Sequence, residues 1–273
     1  MNNGHLSRKP IGVFDSGVGG LTVVSQIFQQ LPNEQVIYFG DMGRAPYGIR
    51  SADVIKRFSR QNVNFLLEQD VKFIVVACNT ASALALDYIE HIYSVPMMGV
   101  IEPGARAAAR YSKNNRIGVI GTEATIGSSS YSKALLKINP KLEVFGLPCP
   151  LFVSLVENGY IEKQAAYLIA EDYLVPIRDK NIDTLVLGCT HYPPLKGIIN
   201  KVMGDSVRLV DSADETAKTV KRLLTELDLA NNSNNKFTHK FYVSDTPEKL
   251  KAIAKYFVDR PIDEVEMIDI NSY

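Results

Sequence analysis

Apolar residues in this chain fall into short continuous runs, and between the runs the apolar spacing changes to the 3.6-residue period of helices. The runs at 11–14, 36–39, 73–77, 95–100, 117–120, 142–147, 185–188 and 207–210 predict strands. The intervening stretches predict helices over 21–31, 51–69, 79–93, 105–111, 126–138, 150–158, 164–178, 193–202 and 212–227. Residues 237–244, 247–257 and 265–268 read as a closing strand, helix and strand. Strands that are apolar on both faces and alternate with helices predict mainly parallel sheets covered by helices, an α/β fold. Ser51 stands where a helix cap is expected, ahead of an apolar face made by Val54, Ile55, Phe58, Phe65 and Leu66. Ile101-Glu102-Pro103-Gly104 reads as a lead-in to its helix, Gly159 as a helix stop, and the Asn/Ser run at 231–235 as an exposed turn or hairpin.

The pattern is weakly duplicated. Ile11-Gly12-Val13-Phe14-Asp15-Ser16 is echoed by Ile117-Gly118-Val119-Ile120-Gly121-Thr122. Each run precedes, at a similar distance, a strand that ends in a cysteine: Cys78-Asn79-Thr80 after 73–77, and Cys189-Thr190-His191 after 185–188. Two similar α/β halves would present their strand ends, where ligands bind in such sheets, to one shared cleft. Each half would bring one thiol.

Composition narrows the class. With 273 residues, 46% hydrophobic and 22% charged, the chain has the balance of a soluble globular protein of one large or two ordinary domains. The net charge of zero supplies no global field for nucleic acid. Residues 1–10 lack the apolar core of a secretory signal, and no run approaches the roughly 20 apolar residues that span a bilayer. Three widely spaced cysteines, Cys78, Cys149 and Cys189, suit free thiols in a reducing cytoplasm. Gly17, Gly19 and Gly20 match neither the dinucleotide nor the P-loop pattern.

Cysteines at strand ends that face a helix start sit where the local field favours a thiolate. Two such groups on either side of a carbon suit one kind of reaction in particular. One thiolate takes a proton from one face, the opposite thiol returns a proton to the other, and configuration inverts without a cofactor. An α-proton beside a carboxylate is weakly acidic, so charge must also be stabilised. Ser16, Asn79, Thr80, Thr122 and Thr190 are placed to do so. Asp15 is the candidate partner for Cys78, and His191 with Glu157 behind it for Cys189. Read singly, each residue has a plainer role: a packed thiol (most of all Cys149), a turn, a surface histidine such as His5, His91 or His239. Two other readings stay open on these residues. One is a hydrolase using Cys78, Cys189 and His191 as zinc ligands or nucleophiles, although no C-x-x-C or H-x-x-x-H pair exists. The other is a binding module with packed cysteines.

Together the motifs carry a resemblance. F-D-S-G-V-G-G-L-T-V at 14–23, A-P-Y-G at 45–48, A-C-N-T-A-S at 77–82, I-E-P-G at 101–104, V-E-N-G at 156–159 and G-C-T-H-Y-P at 188–193 resemble, in order, the cofactor-independent aspartate/glutamate racemases, specifically the glutamate racemases. The resemblance implies two similar three-layer α/β domains with the site at their interface: a discontinuous one, 1–100 with 211–273, and a second, 101–210. It implies that Cys78 deprotonates D-glutamate and Cys189 L-glutamate, with Asp15, His191 and Glu157 assisting. Asp15, Ser16, Pro46, Tyr47, Gly48, Asn79, Thr80, Thr122, Thr125, Thr190 and His191 match substrate-binding positions. It further implies no cofactor or metal, D/L-glutamate as ligand, a homodimer, no nucleic acid or membrane partner, and a bacterial cytoplasm in which D-glutamate feeds peptidoglycan synthesis. Aspartate racemases share the chemistry on a shorter substrate. Some relatives take a cell-wall precursor as activator and have a longer N-terminal extension; with ten residues ahead of Ile11, such activation is not expected here.

Overall fold

The computed structural model describes residues 3–233 and 237–273. The apolar runs become β1 (Ile11–Asp15), β2 (Val36–Gly40), β3 (Phe73–Val76), β4 (Met97–Gly99), β5 (Arg116–Gly121), β6 (Glu143–Pro148), β7 (Thr184–Gly188), β8 (Arg208–Asp211), β9 (Lys240–Val243) and β10 (Glu266–Met267). They form two sheets in which the pairings are parallel, in the orders β10-β9-β2-β1-β3-β4 and β6-β5-β7-β8. The strands β1, β3 and β7 are buried throughout because helices cover both faces, which is why they lack alternation.

The duplication seen in the sequence is topological. The order β2-β1-β3-β4 in one sheet repeats as β6-β5-β7-β8 in the other, so the two I-G-V strands occupy the same central position. Ile11 aligns with Phe73 and Ile117 with Thr184, and Cys78 and Cys189 follow the equivalent strands β3 and β7. The chain returns to the first sheet through β9 and β10.

Several elements differ from expectation. The helix expected at 126–138 is broken into Glu123–Gly127 and Ser130–Ile138 by Ser129, whose φ of 58° ends the first helix. The one expected at 79–93 splits at Ala85 into Asn79–Leu84 and Leu86–Glu90. Ile101-Glu102-Pro103-Gly104 is the first turn of Ile101–Tyr111 rather than a lead-in, since proline is tolerated where the N–H groups have no intrahelical partner. Ser51 holds the cap position without a side-chain bond, and in Ala52–Glu68 the polar Ser59 and Asn62 are buried while Val54 and Phe58 are not fully so. Gly159 stops its helix at φ 70°, as expected. Asn231 is buried rather than exposed: its N–H donates to Glu34 at 2.8 Å and its amide to the Asn33 carbonyl at 2.8 Å. Asn234 and Asn235 lie outside the described residues. His239 is no surface histidine either. Its ring lies 4.1 Å from that of Phe28, its Nδ1 accepts the Val36 N–H, and burial with the nearby Arg260 charge pushes its pKa down to about 4.

Candidate active site

A small cavity lies between the carboxyl ends of the two sheets. Ser16, Gly17, Ala45, Pro46, Tyr47, Gly48, Cys78, Asn79 and Thr80 line it from the six-stranded side, and Thr122, Val153, Glu157, Cys189, Thr190 and His191 from the other. Both sulfurs therefore face one space. The free volume is about 40 Å³, room for at most a few waters.

The Cys78 side is negative and buried. Cys78 caps the helix Asn79–Leu84, its sulfur accepting the Ala81 N–H at 3.5 Å. The helix-start field was expected to favour a thiolate, but burial and the adjacent Asp15 charge outweigh it and push the thiol up to about 12. Asp15 is fully buried just behind the wall. It accepts the Gly17 N–H at 2.9 Å and the Thr190 hydroxyl at 3.4 Å across the cleft. Burial raises its pKa, against the pull of the His191 charge and the Gly17 and Gly20 N–H groups. Tyr38 donates to the Gly17 carbonyl at 2.7 Å and so fixes the D-S-G turn from beneath.

The Cys189 side carries positive charge. Cys189 does not lead straight into a helix; a 3₁₀ turn at Pro193–Leu195 intervenes before Lys196–Met203. The charge beside it comes instead from His191. Burial disfavours the imidazolium, yet hydrogen bonds to Cys189 and Glu157, with the charges of Cys189 and Asp15, raise its pKa to about 10. His191 Nε2 lies 3.1 Å from Glu157, whose carboxyl falls to about 2, mainly through that hydrogen bond. The opposing desolvation is weaker, and His191 and Lys249 add their charges.

The remaining residues shape the space. The Tyr131 hydroxyl donates to Asn79 Oδ1 at 2.7 Å, while buried Asn79 Nδ2 finds no partner among the described residues. An orphaned buried donor beside the sulfurs is suited to a carboxylate ligand. Thr80, Thr122 and Thr125 share a triangle of hydroxyl contacts at 2.9, 3.2 and 3.0 Å that joins the halves; Thr125 stands behind Thr122 rather than in the wall. A Cβ at Gly48 would lie 2.6 Å from that of Thr122, so only glycine lets this loop approach the other half. Tyr47 spends its hydroxyl on Asp41 and accepts from Asn62, and therefore serves the site as wall and loop rather than as a donor. Asp41 also accepts from Ser244 at 2.8 Å and from Arg44 at 2.8 Å.

Sequence reasoning missed Gly17, Ala45 and Val153 in the wall, and Lys249 behind it. The first two lie inside quoted motifs and were within reach; nothing local marks Val153 or Lys249. Among the described residues no group of three or more His, Cys, Asp or Glu side chains is arranged to hold a metal ion.

Fold and site together define a class: α/β proteins of two topologically matched halves, with a thiol from each half lining the cavity between them. The sequence comparisons agree. The chain belongs to the Asp/Glu/Hydantoin racemase family, whose model matches residues 11–220. It is 47% identical over 264 residues to a glutamate racemase of Geobacter metallireducens, covering 97% of this chain and 98% of that one. Among solved structures it resembles glutamate racemase from Francisella tularensis in complex with D-glutamate, with a TM-score of 0.92, 41% identity, and 98% and 100% coverage. Glutamate racemase from Thermus thermophilus in complex with β-chloro-D-alanine is similar at TM-score 0.88 and 41% identity, covering 98% and 99%.

Proposed function

We propose that this protein is a glutamate racemase that interconverts L- and D-glutamate by two-thiol proton transfer at the α-carbon. The observation that carries the mechanism is that Cys78 and Cys189, from equivalent strands of different sheets, line the same cavity. The near-full-length identity to glutamate racemases supports the substrate.

Cys189 takes the α-proton of L-glutamate, with His191 and Glu157 behind it. Cys78, held as a thiol by burial and Asp15, delivers a proton to the opposite face and leaves D-glutamate. The reverse reaction exchanges these roles, Asp15 taking part in moving the Cys78 proton. Asn79, Thr80, Thr122, Thr190 and Ser16, with the Pro46-Tyr47-Gly48 loop, bind the two carboxylates and the amine. Asp15 and Thr125 support that shell from behind.

The same reading divides the chain into domains at 1–100 with 211–273 and at 101–210, and makes it a homodimer acting in the cytoplasm to supply D-glutamate for peptidoglycan. No helix among the described residues is long and apolar enough to cross a membrane.

Racemisation in deuterated water tests the mechanism. Early product should carry α-deuterium while recovered substrate does not, because the returning proton comes from a different group. Cys78→Ser and Cys189→Ser should each lose about 10³-fold or more in both directions. Activity within tenfold of wild type in both variants rejects the two-thiol reading. Faster turnover of aspartate than glutamate rejects the substrate.

A further inference from the structure

Glu157 has two carboxylate oxygens, and each has a partner. Oε1 lies 3.1 Å from His191 Nε2, and Oε2 accepts from Lys249 Nζ at 3.2 Å. Lys249 lies on the helix Pro247–Ala254, which follows β9 of the six-stranded sheet, whereas Glu157 ends the helix Leu151–Glu157 that follows β6 of the other. The same C-terminal segment reaches the pair twice more. Phe257 meets the His191 ring edge-on, with centroids 5.8 Å apart at 80°. A Cβ at Gly159 would lie 3.2 Å from the Tyr256 hydroxyl, so the turn after Glu157 is seated against it too.

We propose that Lys249 is a positioning residue for the Cys189 side, holding the Glu157 carboxylate in the orientation that receives His191. It lies beyond the residues matched by the family model, so a segment outside that match sets the geometry of a proton relay within it. The inference rests on the reading of Cys189 and His191 as an acid/base pair and deepens it.

A glutamate anchored through one oxygen can swing about its remaining torsions; a second anchor on the other oxygen fixes the carboxylate. The Lys249 side chain is 54% exposed, so its charge is screened by water and salt, and the geometric hold is the part that acts. The two roles predict opposite changes at His191, which faces Cys189, Glu157 and Asp15. If Lys249 acted only as a charge, its removal would make the imidazolium easier to form. If it positions Glu157, removal weakens the Glu157–His191 bond and makes the imidazolium harder to form.

The test uses the full chain with labelled histidine, the His191 resonance being assigned with His191→Asn. Lys249→Met and Lys249→Gln should each shift the His191 titration downward by about one pH unit. They should lower kcat about fivefold with little change in KM, while unfolding at wild-type temperature. Lys249→Arg should restore both readouts. A titration that rises or stays put in the Met and Gln variants overturns the positioning role. If His191→Asn keeps wild-type racemisation, it is the acid/base reading that fails; if His191→Asn is inactive while both neutral Lys249 variants match wild type, only the Lys249 inference fails.

Discussion

Cys78 shares its surroundings with the buried Asp15 carboxylate, and Cys189 with the His191–Glu157 pair, although both sulfurs face one cavity. These charges write themselves into stability as well as chemistry. The folded-state pKa of His191 lies above its ordinary 6.5, so the stability it contributes is complete below that value and is lost as pH rises towards about 10. Glu157 acts in the other window: its contribution is complete above 4.5 and is lost as pH falls towards about 2. Burial of the Cys78 thiol costs stability only above 9.0, where the unfolded thiol ionises. Thermal melting should therefore decline between pH 6.5 and 9, and His191→Asn should flatten that decline. An equally steep slope in the variant would show that His191 is not the group responsible.

The loop carrying Pro46, Tyr47 and Gly48 is held by elements that never touch the cavity. Asp41, fully buried, gathers Arg44, Tyr47 and Ser244; Arg44 in turn binds Gln61 and Asn62 and lies 4.2 Å over the Phe58 ring. Phe58, Gln61 and Asn62 all belong to the helix Ala52–Glu68, so the loop is bolted to that helix through the Arg44 guanidinium and the Tyr47 side chain. Arg44→Met leaves Asp41 without its cation and should destabilise the fold by about 3 kcal/mol in urea melts. It should also raise the KM for glutamate more than it lowers kcat; unchanged steady-state constants would separate the network from the loop. Gly48→Ala should weaken glutamate binding without a comparable loss of stability, since its Cβ collides with Thr122 only when the halves are together. Titration calorimetry beside a thermal melt separates these effects. At this scale the sequence was partly readable. The motif A-P-Y-G announced the loop, but Ser59 and Asn62 break the apolar period of the supporting helix because Asn62 turns inward to bind Tyr47 and Arg44.

Across the whole molecule the halves are closed on each other. Cys78 and Cys189 are 5% and 7% exposed, and about 40 Å³ between them admits no five-carbon dicarboxylate. A ligand of that size needs the cavity to widen, and the hydroxyl contacts of Thr80, Thr122 and Thr125 that bridge the halves beside it give way more readily than packed apolar side chains. Alkylation of the two cysteines by iodoacetamide, followed by peptide mass spectrometry, should thus be slow compared with a free thiol. Saturating D-glutamate should slow it further. Labelling at the free-thiol rate would show that the open form predominates in solution.

By itself the sequence determined what depends on neighbours along the chain: apolar runs that must be strands, cysteines set at two equivalent strand ends, and Gly159 as a helix stop. It could not determine what arises from groups far apart in the chain. Burial and the Asp15 charge, 63 residues away in sequence, make Cys78 a held thiol in spite of its helix-start position. Lys249 stands behind Glu157 through a contact spanning 92 residues. Solvent exclusion and through-space charge are properties of the packed halves, and only the tertiary structure decided them.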